Sequence, residues 1–432
     1  MKIKQFIKKN YNFLHHMASS YGAIGINILI FAFLTPYMLN NLGKEQYGTW
    51  QLVSNITMYF SLGSLGLGSV FYLEFTKHRA DALMMNKLIS TLFFALLFVS
   101  IIISAIFLFI IFQFDSLFII STEFLPKARV TFLISFFGFI VIFLFNFLDI
   151  SLFLNHKITT RNISEIIKIV INGLGSIILI YLGFDIVAIA LLSMVCNVLQ
   201  MVYYYAIVSR IQPFTINFSY FDREYLKTMY KNGVYFFIYT LSSLVIMNTD
   251  NILISHFMGA VYVSLYAVIF RFVTISEKFI FVLSTVKGPK VSTFIQQDNY
   301  SAVFDIYKKV WLATLATSLV VAVGLSTFGI DILHLWIGNK FEYDAVLIYI
   351  FSIFIVIHSL SSVTSWYLGI LNKVKIQSMV SLVEIVANLF LSIALYPHLG
   401  LRGIALGTLI SHVLVGSWYP TLYLHRFLKA KI

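Results

Sequence analysis

The chain has 432 residues, of which 59% are hydrophobic and only 11% are charged. Soluble domains carry about 25% charged and about 45–50% apolar residues, and a folded globule leaves much of its surface in water. The composition therefore excludes soluble enzymes, disordered regulators and disulfide-stapled secreted domains, and it indicates an integral membrane protein. The net charge of +12 would suggest nucleic acid in a soluble chain. Here it fits basic cytoplasmic loops, and we expect no nucleic-acid partner.

Twelve apolar stretches are long enough to cross a bilayer. A helix needs about 20 residues to span about 30 Å of hydrocarbon, where every backbone polar group has to be paired. The sequence therefore predicts an all-α integral membrane protein with twelve transmembrane helices. The predicted spans cover residues 16–39, 47–73, 88–113, 130–154, 163–182, 186–208, 233–257, 262–286, 308–330, 344–371, 376–396 and 402–424.

The basic residues support this division and predict an orientation. If the N-terminus is cytoplasmic, 23 of the 30 Lys and Arg residues fall in cytoplasmic segments and five fall on the opposite side. Cytoplasmic loops carry such an excess of basic residues, so we predict that both termini are cytoplasmic. The other two basic residues, Arg271 and Lys278, fall inside the eighth span.

A weak internal repeat divides the chain in half. Asn172 in the fifth span corresponds to Asn388 in the eleventh, and Gly43 after the first span corresponds to Gly259 after the seventh, both at an offset of 216 residues. Six spans per half is an even number, so both halves enter the membrane from the same side. This predicts two parallel six-helix lobes around a central cavity, an arrangement that suits alternating access in a transporter. The predicted parts are an N-terminal lobe at 1–210, a cytoplasmic linker at 211–231 and a C-terminal lobe at 232–432.

Two segments carry recognisable motifs. Residues 36–50 follow the pattern P-x-x-x-x-x-L-G-x-x-x-Y-G-x-W, and residues 250–254 read D-N-I-L-I, with Gly259, Val263 and Tyr266-Ala267 after them. Both resemble the corresponding segments of bacterial polysaccharide-export flippases, including the O-antigen flippases. That family lies in the multidrug/oligosaccharidyl-lipid/polysaccharide transporter superfamily, and the resemblance covers essentially the whole chain.

The resemblance implies a substrate, a location and partners. The substrate would be an oligosaccharide on undecaprenyl pyrophosphate, such as an O-antigen unit for lipopolysaccharide, moved across the bacterial inner membrane. Membrane lipids would surround the protein, and a polysaccharide polymerase and a chain-length regulator would be candidate partners. The sequence holds no phosphate-binding loop, metal-ligand spacing or nucleophile motif. We therefore expect a transporter without a cofactor or metal, and not an enzyme.

Arg271 and Lys278 are the first candidate substrate-binding residues. An ionisable side chain at a helix centre costs about 2.5–3.5 kcal/mol, so it should face the bundle or a wet cavity. The two residues are seven positions apart and so share a helix face, and a pyrophosphate needs several cationic donors. The alternative is that they pair with Asp250, Glu277 or Glu384 and only hold helices together.

Arg161 and Lys168 form a second candidate pair, at the start of the fifth span. Glu165 lies between them on the same helix face and can pair with either residue. They would be the first contacts for the pyrophosphate of an arriving lipid. The alternative is that both cations extend to the lipid phosphates of the cytoplasmic leaflet.

Four further residues are candidates for ion coupling or for a polar core. Asp250 lies between Asn248 and Asn251 in the seventh span, and Glu384 lies in the eleventh. A buried carboxyl could carry a coupling proton or bind a cation. Polar side chains in spans also form interhelical hydrogen bonds without any transport role.

Three other functions are weighed against the flippase. An ion-coupled multidrug exporter of the same superfamily would need an acidic cavity for organic cations. A carrier of the major facilitator type usually has G-x-x-x-D-R-x-G-R-R after its second span, whereas residues 73–81 read L-E-F-T-K-H-R-A-D. A membrane glycosyltransferase or polymerase commonly carries large extramembrane loops, which the predicted spans leave no room for.

Overall fold

The computed structural model describes residues 11–64, 66–78, 81–155, 157–285, 291, 294–295, 297–338, 343–371 and 373–432. Within these residues the chain is helical and contains no β-strand, which confirms the all-α prediction. The helices are α1 Tyr11–Phe60, α2 Leu67–His78, α3 Ala82–Phe112, α4 Leu125–Leu154, α5 Ile158–Tyr181, α6 Ile186–Ile211, α7 Arg223–Phe257, α8 Ala260–Thr285, α9 Tyr300–Ile337, α10 Ala345–Ile370, α11 Val374–Leu399, α12 Leu401–Ser411 and α13 Trp418–Lys431.

Helices cover all twelve predicted spans. Ten helical stretches in the described part of the chain are long and apolar enough to cross a membrane. One of these ten runs from Gly25 to Ser64 and includes most of the first two predicted spans, because α1 joins two helices across a kink at Gly43, where the backbone is not helical. The seventh predicted span lies within α7.

The second predicted span is not a single helix. A 3-10 turn at Ser61–Ser64 ends the first part, and α2 begins at Leu67. Gly66 lies in this break with φ +76°, and a Cβ there would meet the backbone of Gly233. The prediction of a continuous helix over 47–73 was wrong because apolarity does not report a break that glycine permits.

The chain forms two compact units, which divide between Val234 and Tyr235. In the N-terminal unit α4 packs against α6, and α1 packs against α5. Its core includes a phenylalanine cluster in which the rings of Phe107 and Phe136 stack with their centroids 3.9 Å apart. The segment after α6 is held on α3, where the Asn217 and Asp222 backbone N–H groups donate to Ser90 and Thr91.

In the C-terminal unit α11 packs along α12, and α9 packs along α10. Between α12 and α13 the helix widens into a π-helical turn at His412–Ser417. Such turns occur often at functional sites. This turn packs against both α10 and α11.

The internal repeat is visible in equivalent local structures of the two units. Gly43 and Gly259 both have positive φ, at +85° and +98°, a conformation that favours glycine. Asn172 on α5 accepts a hydrogen bond from Ser193 on α6 at 3.0 Å. Asn388 on α11 donates to Thr408 on α12 at 2.9 Å. Each unit thus closes its last two spans with an asparagine at the same repeat position.

Candidate functional site

A polar cavity of about 200 Å³ lies within the C-terminal unit. We call it the C-terminal cavity. Its polar lining groups are serine hydroxyls, one amide, two carboxylates and two imidazoles, and aromatic side chains line it as well. Its lining residues are Ser242, Ile246, Met247, Glu277, Phe281, His358, Ser361, Ser362, Ser365, Trp366, Gln377, Ser381, Glu384 and His412.

The first acidic residue of this cavity is held by α10. Glu277 lies on α8, and its Oε1 is 3.2 Å from His358 Nε2. Ser362, one helical turn from His358, donates to the same oxygen at 3.4 Å. The ring of Phe354 stacks on that of His358 and so fixes one face of the imidazole.

The second acidic residue is more deeply buried. Glu384 Oε1 is 2.6 Å from His412 Nδ1, and the two side chains are 3% and 4% exposed. His412 opens the π-helical turn, and a Cβ at Gly416 in that turn would overlap the Glu384 carboxylate. Glycine at this position therefore makes room for the acid.

These two pairs form one cluster, because the rings of His358 and His412 are only 5.0 Å apart. Neither histidine was among the site residues predicted from the sequence. A usable signal for His358 was the helical spacing of Ser361, Ser362 and Ser365 after it, which gives α10 a polar stripe. His412 could not be paired with Glu384 without knowing how α11 and the turn meet. Among the described residues, no three His, Cys, Asp or Glu side chains are grouped to hold a metal.

Asp250 lies in a separate buried group of the same unit. It accepts hydrogen bonds from the Tyr266 hydroxyl on α8 and from Thr408 Oγ1 on α12, the latter at 3.0 Å. Asn388 joins through Thr408. The other two predicted members are also buried, Asn251 beside Asp250 and Asn248 with its amide on the backbone oxygen of Leu244.

Arg271 and Lys278 lie on α8, and neither lines the C-terminal cavity. Arg271 is partly buried and Lys278 is exposed. Of the acids named as alternative partners, Glu277 contacts His358, Glu384 contacts His412, and Asp250 contacts Tyr266 and Thr408. Glu277 also interacts electrostatically with Lys278. Their role as substrate-binding residues stays a prediction.

Arg161 and Lys168 each have an acidic partner in the N-terminal unit. Arg161 Nε is 2.5 Å from Asp149 Oδ1, and Lys168 Nζ is 3.0 Å from Glu165 Oε2. Asp149 was not among the site residues predicted from the sequence. Lys168 also lines an N-terminal cavity of about 180 Å³ together with Leu34 and Asn172. Whether these two cations contact a substrate is likewise still a prediction.

The sequence matches the polysaccharide biosynthesis protein family over residues 14–295. The chain is also 22% identical over 423 residues to the uncharacterized membrane protein EpsK of Bacillus subtilis (strain 168), covering 96% of this chain and 83% of that protein.

Solved transporters share the fold. A multidrug resistance MATE family transporter of the MOP superfamily, in an inward-facing conformation, matches with a TM-score of 0.76 at 17% identity, over 93% of this chain and 94% of that one. The lipid II flippase MurJ, in an inward closed conformation, matches with a TM-score of 0.74 at 16% identity, over 96% and 87%. The family match covers more than half of the chain. The resemblance noted in the sequence is thereby confirmed, and the chain belongs to the polysaccharide biosynthesis protein family, with a fold of the MOP superfamily.

Proposed function

We propose that this protein is a flippase that moves an oligosaccharide linked to undecaprenyl pyrophosphate across the bacterial inner membrane. The observation that carries the proposal is the family match over residues 14–295. The fold shared with the lipid II flippase MurJ supports it. The transported unit would be an O-antigen unit or the repeat unit of a related polysaccharide. Both termini would be cytoplasmic, and a polymerase and a chain-length regulator are candidate partners.

The proposed binding residues are the four cations predicted from the sequence. Arg161 and Lys168 would meet the pyrophosphate of an arriving lipid, and Arg271 and Lys278 would hold it during transport. Guanidinium and ammonium groups both bind phosphate oxygens through charge-assisted hydrogen bonds.

The proposed coupling residues are Asp250, Asn248, Asn251 and Glu384. Their burial within the C-terminal unit supports this role, because ionisable side chains inside membrane spans are commonly functional. Export that is indifferent to the proton and sodium gradients would exclude a coupling role for Asp250 and Glu384.

An ion-coupled multidrug exporter is the second candidate. It is favoured by the two carboxylates of the C-terminal cavity, which would attract organic cations, and by the MATE fold. The carboxylates have imidazole partners, however, and the family match points to polysaccharide.

The experiment is deletion of the gene in its host, followed by analysis of extracted lipids. The proposal expects a complete oligosaccharide to accumulate on its lipid, trapped on the cytoplasmic side, and the intact gene to relieve this. Normal lipid intermediates and normal surface polysaccharide, together with a new sensitivity to cationic drugs, would favour the exporter instead.

A further inference from the structure

We propose that the C-terminal cavity is a binding site for one uncharged sugar residue of the transported oligosaccharide. This inference rests on the proposed flippase function and names the part of the substrate that the cavity would hold. It is carried by the cavity's size, its hydrogen-bonding groups, its aromatic lining residues and the absence of Lys and Arg among the described residues that line it.

The volume has room for a sugar ring. A cavity of about 200 Å³ is several times the roughly 30 Å³ that one water molecule occupies in the liquid, and a pyranose is a ligand of that scale. All the lining residues belong to the C-terminal unit.

The polar wall can both donate and accept hydrogen bonds, as sugar hydroxyls require. Five serine hydroxyls line the cavity beside the Gln377 amide. Three lining residues also keep a buried polar atom without a hydrogen-bond partner in the described part of the chain, namely Gln377 Oε1, His358 Nδ1 and His412 Nε2. An unsatisfied buried polar group costs about 1–3 kcal/mol, so a ligand hydroxyl that reached such atoms would be bound favourably.

The lining also includes aromatic side chains. Trp366 and Phe281 line the cavity together with Ile246 and Met247. The face of an aromatic ring carries partial negative charge, which attracts the C–H groups on the apolar face of a sugar ring. A lining that combines polar and aromatic side chains suits the two kinds of surface that a pyranose presents.

The charges argue against the pyrophosphate as the occupant. Glu277 and Glu384 line the cavity, and no Lys or Arg is among the described residues that do so. On α8, Lys278 points about 100° away from Glu277, so a lysine and an acid of the cavity occupy different faces of one helix. A substrate that placed its phosphates on the cationic face would keep them away from the carboxylates.

The test uses the full-length protein in nanodiscs. The probe is the free oligosaccharide released by mild acid from lipid that accumulates in the deletion strain, titrated by calorimetry. We expect saturable binding of the oligosaccharide in the millimolar range or tighter. Inorganic pyrophosphate should not compete with the oligosaccharide for this site. Gln377→Ala should weaken binding about tenfold, as expected for one lost hydrogen bond, and Trp366→Ala should also weaken it. The matched control is Gln113→Ala, at an exposed glutamine outside the cavity, which should bind like the wild type.

The site would be rejected if the folded wild type failed to bind the oligosaccharide at about 10 mM, ten times the Kd that corresponds to about 4 kcal/mol. Equal binding by wild type, Gln377→Ala and Trp366→Ala would also reject it.

The experiments distinguish failure of the proposed sugar site from failure of the proposed flippase function. If the deletion strain accumulates the lipid but its oligosaccharide does not bind, only the sugar site is wrong; if no lipid accumulates, the flippase proposal fails and the sugar site falls with it.

Discussion

Helices α5 and α11 occupy equivalent places in the two repeats but present different side chains. At the offset of 216 residues that relates Asn172 to Asn388, a triad of charged residues in α5 corresponds to a mostly neutral triad in α11. The pairs are Arg161 with Gln377, Glu165 with Ser381 and Lys168 with Glu384. The asparagines keep the same interhelical role in both units, so the scaffold is shared while the chemistry beside it has changed.

The environments of the two triads differ as well. In the N-terminal unit the Arg161 and Asp149 side chains are 38% and 31% exposed, and every acid in this triad region faces a permanent cation. In the C-terminal unit the Glu384–His412 pair is almost completely buried, and its partner is an imidazole. The first repeat therefore carries a charged, partly buried triad at these positions, and the second carries a buried and mostly neutral one.

Replacing Glu384 should have the largest effect on stability. Glu384→Ala leaves the buried His412 without its carboxylate, and breaking a buried pair costs about 3–5 kcal/mol. The repeat-equivalent change, Lys168→Ala, removes a partly exposed ion pair and should cost no more than about 1 kcal/mol. Equilibrium unfolding of both purified variants measures the difference. Equal losses would mean that burial does not distinguish the two triads.

Adding a methyl group at Gly407 on α12 should have the second largest effect on the free energy of unfolding. A Cβ at Gly407 would be 2.5 Å from the Ser392 backbone nitrogen on α11, so Gly407→Ala forces two helices apart and should cost about 2–3 kcal/mol. In the equivalent helix pair of the N-terminal unit, a Cβ at Gly175 meets only the flexible end of Leu192. Gly175→Ala should therefore change the unfolding free energy by less than about 1 kcal/mol. The reverse order would show that α5 and α6 are the more tightly packed pair.

Replacing Asp250 tests the contribution of an acid that the second repeat carries where the first repeat has leucine. Its repeat-equivalent residue is Leu34, so Asp250→Leu restores the apolar residue of the first repeat. The variant leaves Tyr266 and Thr408 without their acceptor, and we expect a loss of about 1–3 kcal/mol. Asp250→Asn keeps an acceptor oxygen and should lose less. If Asp250→Asn exports normally and retains its dependence on an ion gradient, Asp250 has no coupling role.

The smallest effect is expected at Asp149. Asp149→Ala removes a half-exposed partner of Arg161 and should change stability by about 0–1 kcal/mol. Because Arg161 itself remains, export should continue.

Arg161→Ala should reduce export at unchanged membrane abundance if Arg161 contacts pyrophosphate. Normal export by Arg161→Ala would assign the pair to packing alone. Both variants are compared with the wild type by measuring surface polysaccharide and the amount of the protein in the membrane.

The sequence predicted the helices because the length of an apolar run is a direct requirement of the bilayer. It did not predict the break before Leu67, since Gly63 and Gly66 are as apolar as their neighbours but allow a different backbone. The orientation of Asn172 and Asn388 between helices was consistent with the repeat seen in the sequence. The apolar runs and the repeated asparagines are local or periodic signals that a sequence shows directly, and the break is not.

The candidate site was only partly predictable. Glu384 and Asp250 attracted attention because an acid inside a span is costly, and both proved to be buried. Their partners lie on other helical segments, with Tyr266 16 and Thr408 158 residues from Asp250 and His412 28 residues from Glu384. No local pattern indicates which side chains meet across a bundle. His358 lies 81 residues from Glu277, so this pair could only be found from the fold.

The most direct measurement of the central claim is transport in proteoliposomes. Purified protein is reconstituted with the extracted lipid-linked oligosaccharide, and an impermeant lectin or oxidant reports how much of the sugar moves between leaflets. The account predicts movement that depends on the protein and is lost in Arg271→Ala at equal reconstitution. Equal accessibility of the sugar with and without the protein, under imposed proton and sodium gradients, would contradict the account.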